Sequence, residues 1–222
     1  MKFLALGLAF ALATPAQTLS LGVSAGVPIS PHSQNYGQGC ISATQGPCGS
    51  NDFYARPYAV GPVAGIGIRW GVSIQAGALY ERFHIDQTRG LTVGRGSGSV
   101  DFGHQYSVGA NAWLFPLLLR YTRGRGRISP FVNAGATLRH LGVFTGNGTQ
   151  LDFYLQPHPA TFQISTGRDL DAAVTAGTGL KWRAAIFDIA PEVRFLHWTS
   201  SYYQPAQNQA MLIVAITFPL QR

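Results

Sequence analysis

A serine between glycines, Gly22-Val23-Ser24-Ala25-Gly26, matches the G-x-S-x-G pattern of hydrolase nucleophiles. That chemistry needs a strand, a sharp bend carrying the serine, and then a helix. Here the pentapeptide lies inside an alternating run with no helix pattern after it, so a strand with Ser24 on its small-residue face is expected. Gly94-Arg95-Gly96-Ser97-Gly98 has the glycine content of a phosphate loop but lacks the Lys-Ser/Thr ending that reaches phosphate and magnesium. None of the six histidines stands two or four residues from another, so neither a metal site nor a cofactor is expected. Cys40 and Cys48, in GQGCISATQGPCGSN, have no Asp, Glu or His between them to complete a metal set. In an exported chain two such thiols pair, and a loop-stapling disulfide is expected.

The elements that must carry these residues are set by composition and periodicity. The 222 residues hold 16 Lys+Arg against 9 Asp+Glu, a net charge of +7, yet only 11% are charged and 46% are hydrophobic. Soluble domains carry roughly 25% charged residues. The 27 glycines and 13 prolines argue against long membrane helices, and the aromatic content argues against disorder. The basic excess is scattered and forms no stripe, so nucleic acid is not an expected partner. Residues 1–16 have the layout of a secretory signal peptide: Lys2, the uncharged run from Phe3 to Ala13, then small residues ending at Ala16. Eleven apolar residues are too few to span a bilayer, which takes about 20. Residues 17–222 are expected to form one domain.

Period-two alternation recurs through that domain. Eight candidate strands begin near Leu19, Val63, Val72, Trp113, Val132, Val174, Phe187 and Gln209. In each, one face is apolar and the other small, polar or charged. The second face is rich in glycine and carries Arg69, Glu81, Arg120, Arg139, Lys181, Asp188, Glu192 and Arg194. A narrow barrel interior wants this mixture of small residues and charges that pair. The apolar faces end in Trp70, Tyr80, Trp113, Tyr121, Trp182 and Trp198, placed as membrane-interface girdles would place them. Val108, Ala110 and Ala112 are out of phase with the apolar face that starts at Trp113. Either a bulge resets the strand, or the segment before Trp113 lies above the membrane. Connections alternate between short turns and long polar segments, the latter near 28–57, 86–104, 142–170 and 197–208. The expected fold is therefore all-β: a closed, antiparallel, up-and-down transmembrane barrel of eight strands. Ten is the alternative if part of 142–170 forms another membrane pair; a hairpin extension from Val143 to Leu155, turning around Asn147-Gly148-Thr149, is the other option there.

On Tyr58 to Phe83, Trp113 to Tyr121, Ser129 to Arg139, Ile189 to Phe195 and Asn208 to Phe218, the chain resembles the small bacterial outer-membrane β-barrels, the OmpA/OmpX-like group. The resemblance implies an outer-membrane location, contact with outer-membrane lipids and lipopolysaccharide, and insertion by the barrel-assembly machinery. It makes the last strand, ending at Phe218, the assembly signal, with Pro219-Leu220-Gln221-Arg222 a departure from a terminal aromatic. Some barrels of this class modify lipid A with a His, a Ser and a carboxylate. Here His197 has Ser200 and Ser201 nearby and Glu192 upstream, but His197-Trp198-Thr199 breaks the H-x-S pattern and no acid follows. A non-enzymatic role is expected, structural or through ligand-binding loops whose ligand stays open. Five interior bases against three acids leave a narrow, anion-preferring pore as the alternative.

Overall fold

The computed structural model describes residues 18–29, 35–38, 47–93, 100–124, 126–151, 157–164, 170–199 and 207–220. The signal segment, Cys40, Gly94 to Gly98, Ser200 and Ser201 lie outside them. The described residues form only strands and their connections: β1 (Thr18–Pro28), β2 (Asn35–Gln38), β3 (Pro47–Gly67), β4 (Val72–Gly77), β5 (Leu79–Val93), β6 (Val100–Thr122), β7 (Ile128–Leu141), β8 (Phe144–Leu151), β9 (Pro157–Ile164), β10 (Leu170–Arg183), β11 (Asp188–Trp198) and β12 (Asn208–Pro219). Ala78 alone separates β4 from β5, and the two act as one wall strand.

Eight wall strands close into a ring. The order runs β3-β1-β12-β11-β10-β7-β6, and β4 with β5 bridges β6 back to β3. Closure is made by β1 against β12, antiparallel from Ser20↔Pro219 to Pro28↔Met211. Every pairing is antiparallel, so no backbone edge of the ring is left open to lipid, where an unpaired amide costs several kcal/mol. Because β7 pairs directly with β10, from Ile128↔Trp182 to His140↔Leu170, the hairpin β8–β9 is not inserted between them. The barrel has eight strands; β8 and β9 pair with each other outside the ring, and Asn147-Gly148-Thr149 lies within β8, not at the turn of a hairpin from Val143 to Leu155.

The three short connections lie at one end. The tightest joins β3 to β4 through Trp70 and Gly71, both in the left-handed region (φ 55° and 82°), with the Val72 amide donating to the Arg69 carbonyl at 2.9 Å. Two successive positive φ values make a type I′ turn, whose twist matches that of the flanking strands. A side chain at Gly71 would place its Cβ 2.2 Å from the Thr122 carbonyl.

At the opposite end the described residues of the segments expected as long loops are largely strand. β5 and β6 stay paired from Leu79↔Leu114 to Val93↔Val100, and β3 follows β5 out to Pro47↔Leu91, with a bulge between Ala55 and Ala59. β2 adds to β3, β8 to β6 and β9 to β8. A six-stranded sheet in the order β2-β3-β5-β6-β8-β9 thus stands on one side of the barrel rim. β6 alone has 23 residues, whereas a tilted strand crosses a bilayer in about 9–11.

The phase of β6 is unbroken. Val108, Ala110, Ala112, Leu114 and Leu118 are all buried on the inner side, and the register with β4 and β5 has no bulge. The second alternative for this segment holds: residues before Trp113 extend above the girdle, with their small apolar residues pointing inward.

Candidate functional site

Alternation sorts each wall strand into an outer and an inner face. Outside, β6 presents Trp113, Phe115, Leu117, Leu119 and Tyr121, and the other strands present residues such as Leu21, Val132, Val174, Phe195 and Val214. Beyond Trp113 the same face turns polar, with Asn111 accepting from the Tyr80 hydroxyl at 2.8 Å. Tyr80 meets Trp113 edge-on, centroids 5.4 Å apart. From Trp113 to Tyr121 is eight residues, about 20 Å along the barrel axis at the usual rise and tilt, close to the roughly 25 Å band of outer-membrane barrels. At the short-turn end Trp182 lies under the Arg127 guanidinium (5.9 Å), and Trp70 is 87% exposed at its turn tip. Phe218, on the outer face of β12, pairs in register with Leu21 and leans on Phe187.

Trp198 departs from the expected belt. It is 0% exposed and lies inside the barrel, its indole nitrogen donating to Gln209 Oε1 at 3.2 Å. The reason is phase: on β11, Asp188, Glu192, Arg194 and Trp198 are all even-numbered and share the inner face. His197 is on the outer face, 2.8 Å from Asn208 Oδ1 through Nδ1. Glu192 and His197 therefore point to opposite sides of β11 and make no dyad. Ser24 is buried on the inner face of strand β1, not at a bend.

The lumen is filled in layers, ordered by the β10–β11 register from Arg183↔Asp188 at the turns to Ala173↔Trp198. Nearest the turns, Lys181 Nζ meets Asp188 Oδ2 at 2.7 Å. Next, Glu192 accepts from Arg194 Nε at 2.6 Å and from Arg120 Nη2 at 3.0 Å, with Arg120 stacked 4.0 Å over the Phe131 ring. Above these lies an apolar layer of Ala59, Leu79, Leu114, Leu196, Met211 and Ile213. Thr137 and Thr175 share a hydrogen bond of 2.8 Å. Uppermost, Arg139, 1% exposed, donates to Asp171 at 2.5 Å and is boxed by Trp198 (4.3 Å) and Phe83 (5.3 Å). Glu81, also buried, lies within the field of the Arg139 charge.

Two reassignments change the interior charge balance. Arg69 is exposed in the β3–β4 turn, at the mouth of the lumen and outside its packed section. Asp171, not singled out from the sequence, is buried opposite Arg139 in register. Among the described residues the packed bore then holds four bases (Arg120, Arg139, Lys181, Arg194) and four acids (Glu81, Asp171, Asp188, Glu192), while Arg69 and Arg183 lie at its short-turn mouth. Cys48 lies on β3 opposite Gly90; with Cys40 outside the described residues, the disulfide stays an expectation from sequence.

Below the Lys181 layer the barrel opens into a cavity of about 660 Å³ at the short-turn end, reached by Arg69, Arg120, Lys181, Arg183 and Asp188. No helix among the described residues is long and apolar enough to cross a membrane.

No protein-family model matches the chain, and no curated protein does. Among solved structures it is similar to the outer membrane protein OprG of Pseudomonas aeruginosa, at 9% identity over 93% of this chain and 96% of that one, with a TM-score of 0.48. It is also similar to Neisserial surface protein A, at 9% identity, 90% and 96% coverage and a TM-score of 0.42. The N-terminal β-barrel domain of Pseudomonas aeruginosa OprF follows at 13% identity, 90% and 97% coverage and a TM-score of 0.35. The chain's own surfaces carry the conclusion. A closed eight-strand ring, an apolar outer band edged by aromatics, and short turns opposite long projecting strands make this protein a transmembrane β-barrel of the outer-membrane type.

Proposed function

We propose that the protein is a non-conducting barrel that anchors an extracellular recognition sheet. The filled lumen carries this reading: Leu118 and Arg139 are each 1% exposed, Glu192 2%, and ion pairs close the bore both above and below an apolar layer. An eight-stranded barrel has interior space only for its own side chains. Within the packed bore each base is matched by an acid, so the closed section offers nothing that would draw anions through it. The sheet beyond the rim supplies the surface for a partner, and backbone register aligns Asn35, Asp52, Asp86, Ser107, Asn147 and Thr161 across its six strands. The edge strand β9 carries Pro157 and Pro159, residues that blunt uncontrolled strand addition. Lipopolysaccharide and outer-membrane phospholipid would contact the belt and girdles. Planar-bilayer recording tests the reading: the refolded mature chain should give no steps above background, whereas reproducible channel openings would refute it.

A further inference from the structure

The cavity at the short-turn end is more than the flared mouth of a cylinder. It is blind, because the Arg120–Glu192–Arg194 knot closes it from above. Its volume, about 660 Å³, falls in the range of small-molecule sites. Its charge is lopsided. Asp188 is occupied by Lys181 and Glu192 by Arg120 and Arg194, while Arg69 and Arg183 have no acidic partner among the described residues. Arg183 is held at the rim by one bond from Nη1 to the Gly126 carbonyl (3.1 Å), leaving the rest of its fork free.

The wall is also short of partners. Gln75 and Asp188 are more than nine-tenths buried, and both line the cavity. Gln75 Oε1, Asp188 Oδ1 and Arg120 Nε have no hydrogen-bond partner within the protein. Buried polar atoms are almost always paired, and leaving one unmade costs about 1–3 kcal/mol. Both acceptors lie sealed just behind the cavity lining, and a turn of the Gln75 amide or the Asp188 carboxylate presents them beneath a rim of guanidinium groups that have no acidic partner among the described residues. A neutral solute would not use the rim, and a bare anion would not satisfy the acceptors.

We propose that this vestibule binds a small hydroxylated oxyanion from the periplasmic side: its carboxylate or phosphate on Arg69 and Arg183, its hydroxyls toward Gln75 and Asp188. Guanidinium groups suit either oxyanion through paired N–H donors. The inference stands apart from the non-conducting reading, since a blind site needs no pore.

Isothermal titration of the refolded chain in detergent tests it, with D-glucuronate, D-glucose 6-phosphate, D-glucose and sodium sulfate as probes. Saturable binding of one or both hydroxylated anions is expected, tighter than glucose or sulfate by at least tenfold; which anion binds identifies the oxyanion. Arg69→Ala and Arg183→Ala should each weaken binding about tenfold, the value of one charged hydrogen bond. Gln75→Met should weaken it severalfold, and Arg123→Ala, on a turn outside the cavity, should leave it unchanged. Heat-dependent gel mobility shows that each variant is folded. The proposal is overturned if no probe saturates, if glucose or sulfate matches the hydroxylated anions, or if binding survives loss of both Arg69 and Arg183 in folded protein.

Discussion

Arg139 is the residue on which the upper lumen depends, and its replacement has a cost that can be worked out. The guanidinium is 1% exposed, bonded to Asp171, stacked on Trp198 at 4.3 Å and within the field of Glu81. Replacing it with methionine keeps much of the side-chain length and takes the guanidinium away from two buried acids, Asp171 and Glu81. Removing one partner of a buried pair costs about 3–5 kcal/mol, and the desolvated cation–π contact adds up to about 2. Arg139→Met should therefore destabilise the barrel by about 3–7 kcal/mol. Asp171→Asn is a gentler change, because the guanidinium keeps Trp198 and the Glu81 charge; losing one charged hydrogen bond costs about 1.5–3 kcal/mol. The triple variant Arg139→Met/Asp171→Asn/Glu81→Gln removes base and acids together and should recover at least half of the Arg139→Met loss, since replacing a whole buried ionic group is often near neutral. Reversible urea unfolding in phospholipid vesicles, followed by tryptophan fluorescence and gel mobility, measures all three. A loss below about 1 kcal/mol for Arg139→Met, or a larger loss for Asp171→Asn than for Arg139→Met, would refute the hub role of Arg139.

Single-tryptophan variants in vesicles of brominated lipid should show Trp113 and Trp182 quenched, while Trp198 is quenched by neither lipid bromine nor aqueous acrylamide; lipid quenching of Trp198 would return it to the outer face. Gly61→Ala would place a Cβ 1.8 Å from the Ala78 carbonyl, forcing apart the seam where β4 passes into β5; a loss of about 1–3 kcal/mol in the same urea assay is expected, and an unchanged midpoint would mean that the backbone gives way freely there. Gly71→Ala, at φ 82° against the Thr122 carbonyl, should cost about 1–2 kcal/mol, measured likewise.

The membrane part of the fold is legible because lipid imposes its rule one residue at a time. A slip of one position would turn a charge to lipid or a leucine to the lumen, so the period-two pattern survives at every wall strand. The outer sheet is not legible in the same way. Beyond the lipid no rule forces apolar residues onto the outward face, and the polar segment 142–170 reads as a long loop or a short hairpin around Asn147-Gly148-Thr149, although Phe144–Leu151 is the continuous strand β8. Base count failed at Arg69 for a related reason. A residue in phase with a strand still leaves the packed bore for its open mouth when a two-residue turn begins at its position.

Asp171 and Trp198 were both available from one rule carried to the end of each strand. Lys181, Gly179, Gly177, Thr175 and Ala173 alternate inward along β10, and the next position in that phase is Asp171. Asp188, Ala190, Glu192, Arg194 and Leu196 do the same along β11, and the next is Trp198. Amino-acid type argues against both extensions, since an aspartate near a loop looks solvated and a tryptophan near a rim looks interfacial. Phase outweighs type because turning either residue outward takes a bulge, and the β7–β10 and β10–β11 registers show no bulge next to Asp171 or Trp198. The two residues meet around Arg139, which has the carboxylate as its counter-charge and the indole as its wall. The upper closure of the lumen is thus specified by the last inward residue of each of two strands.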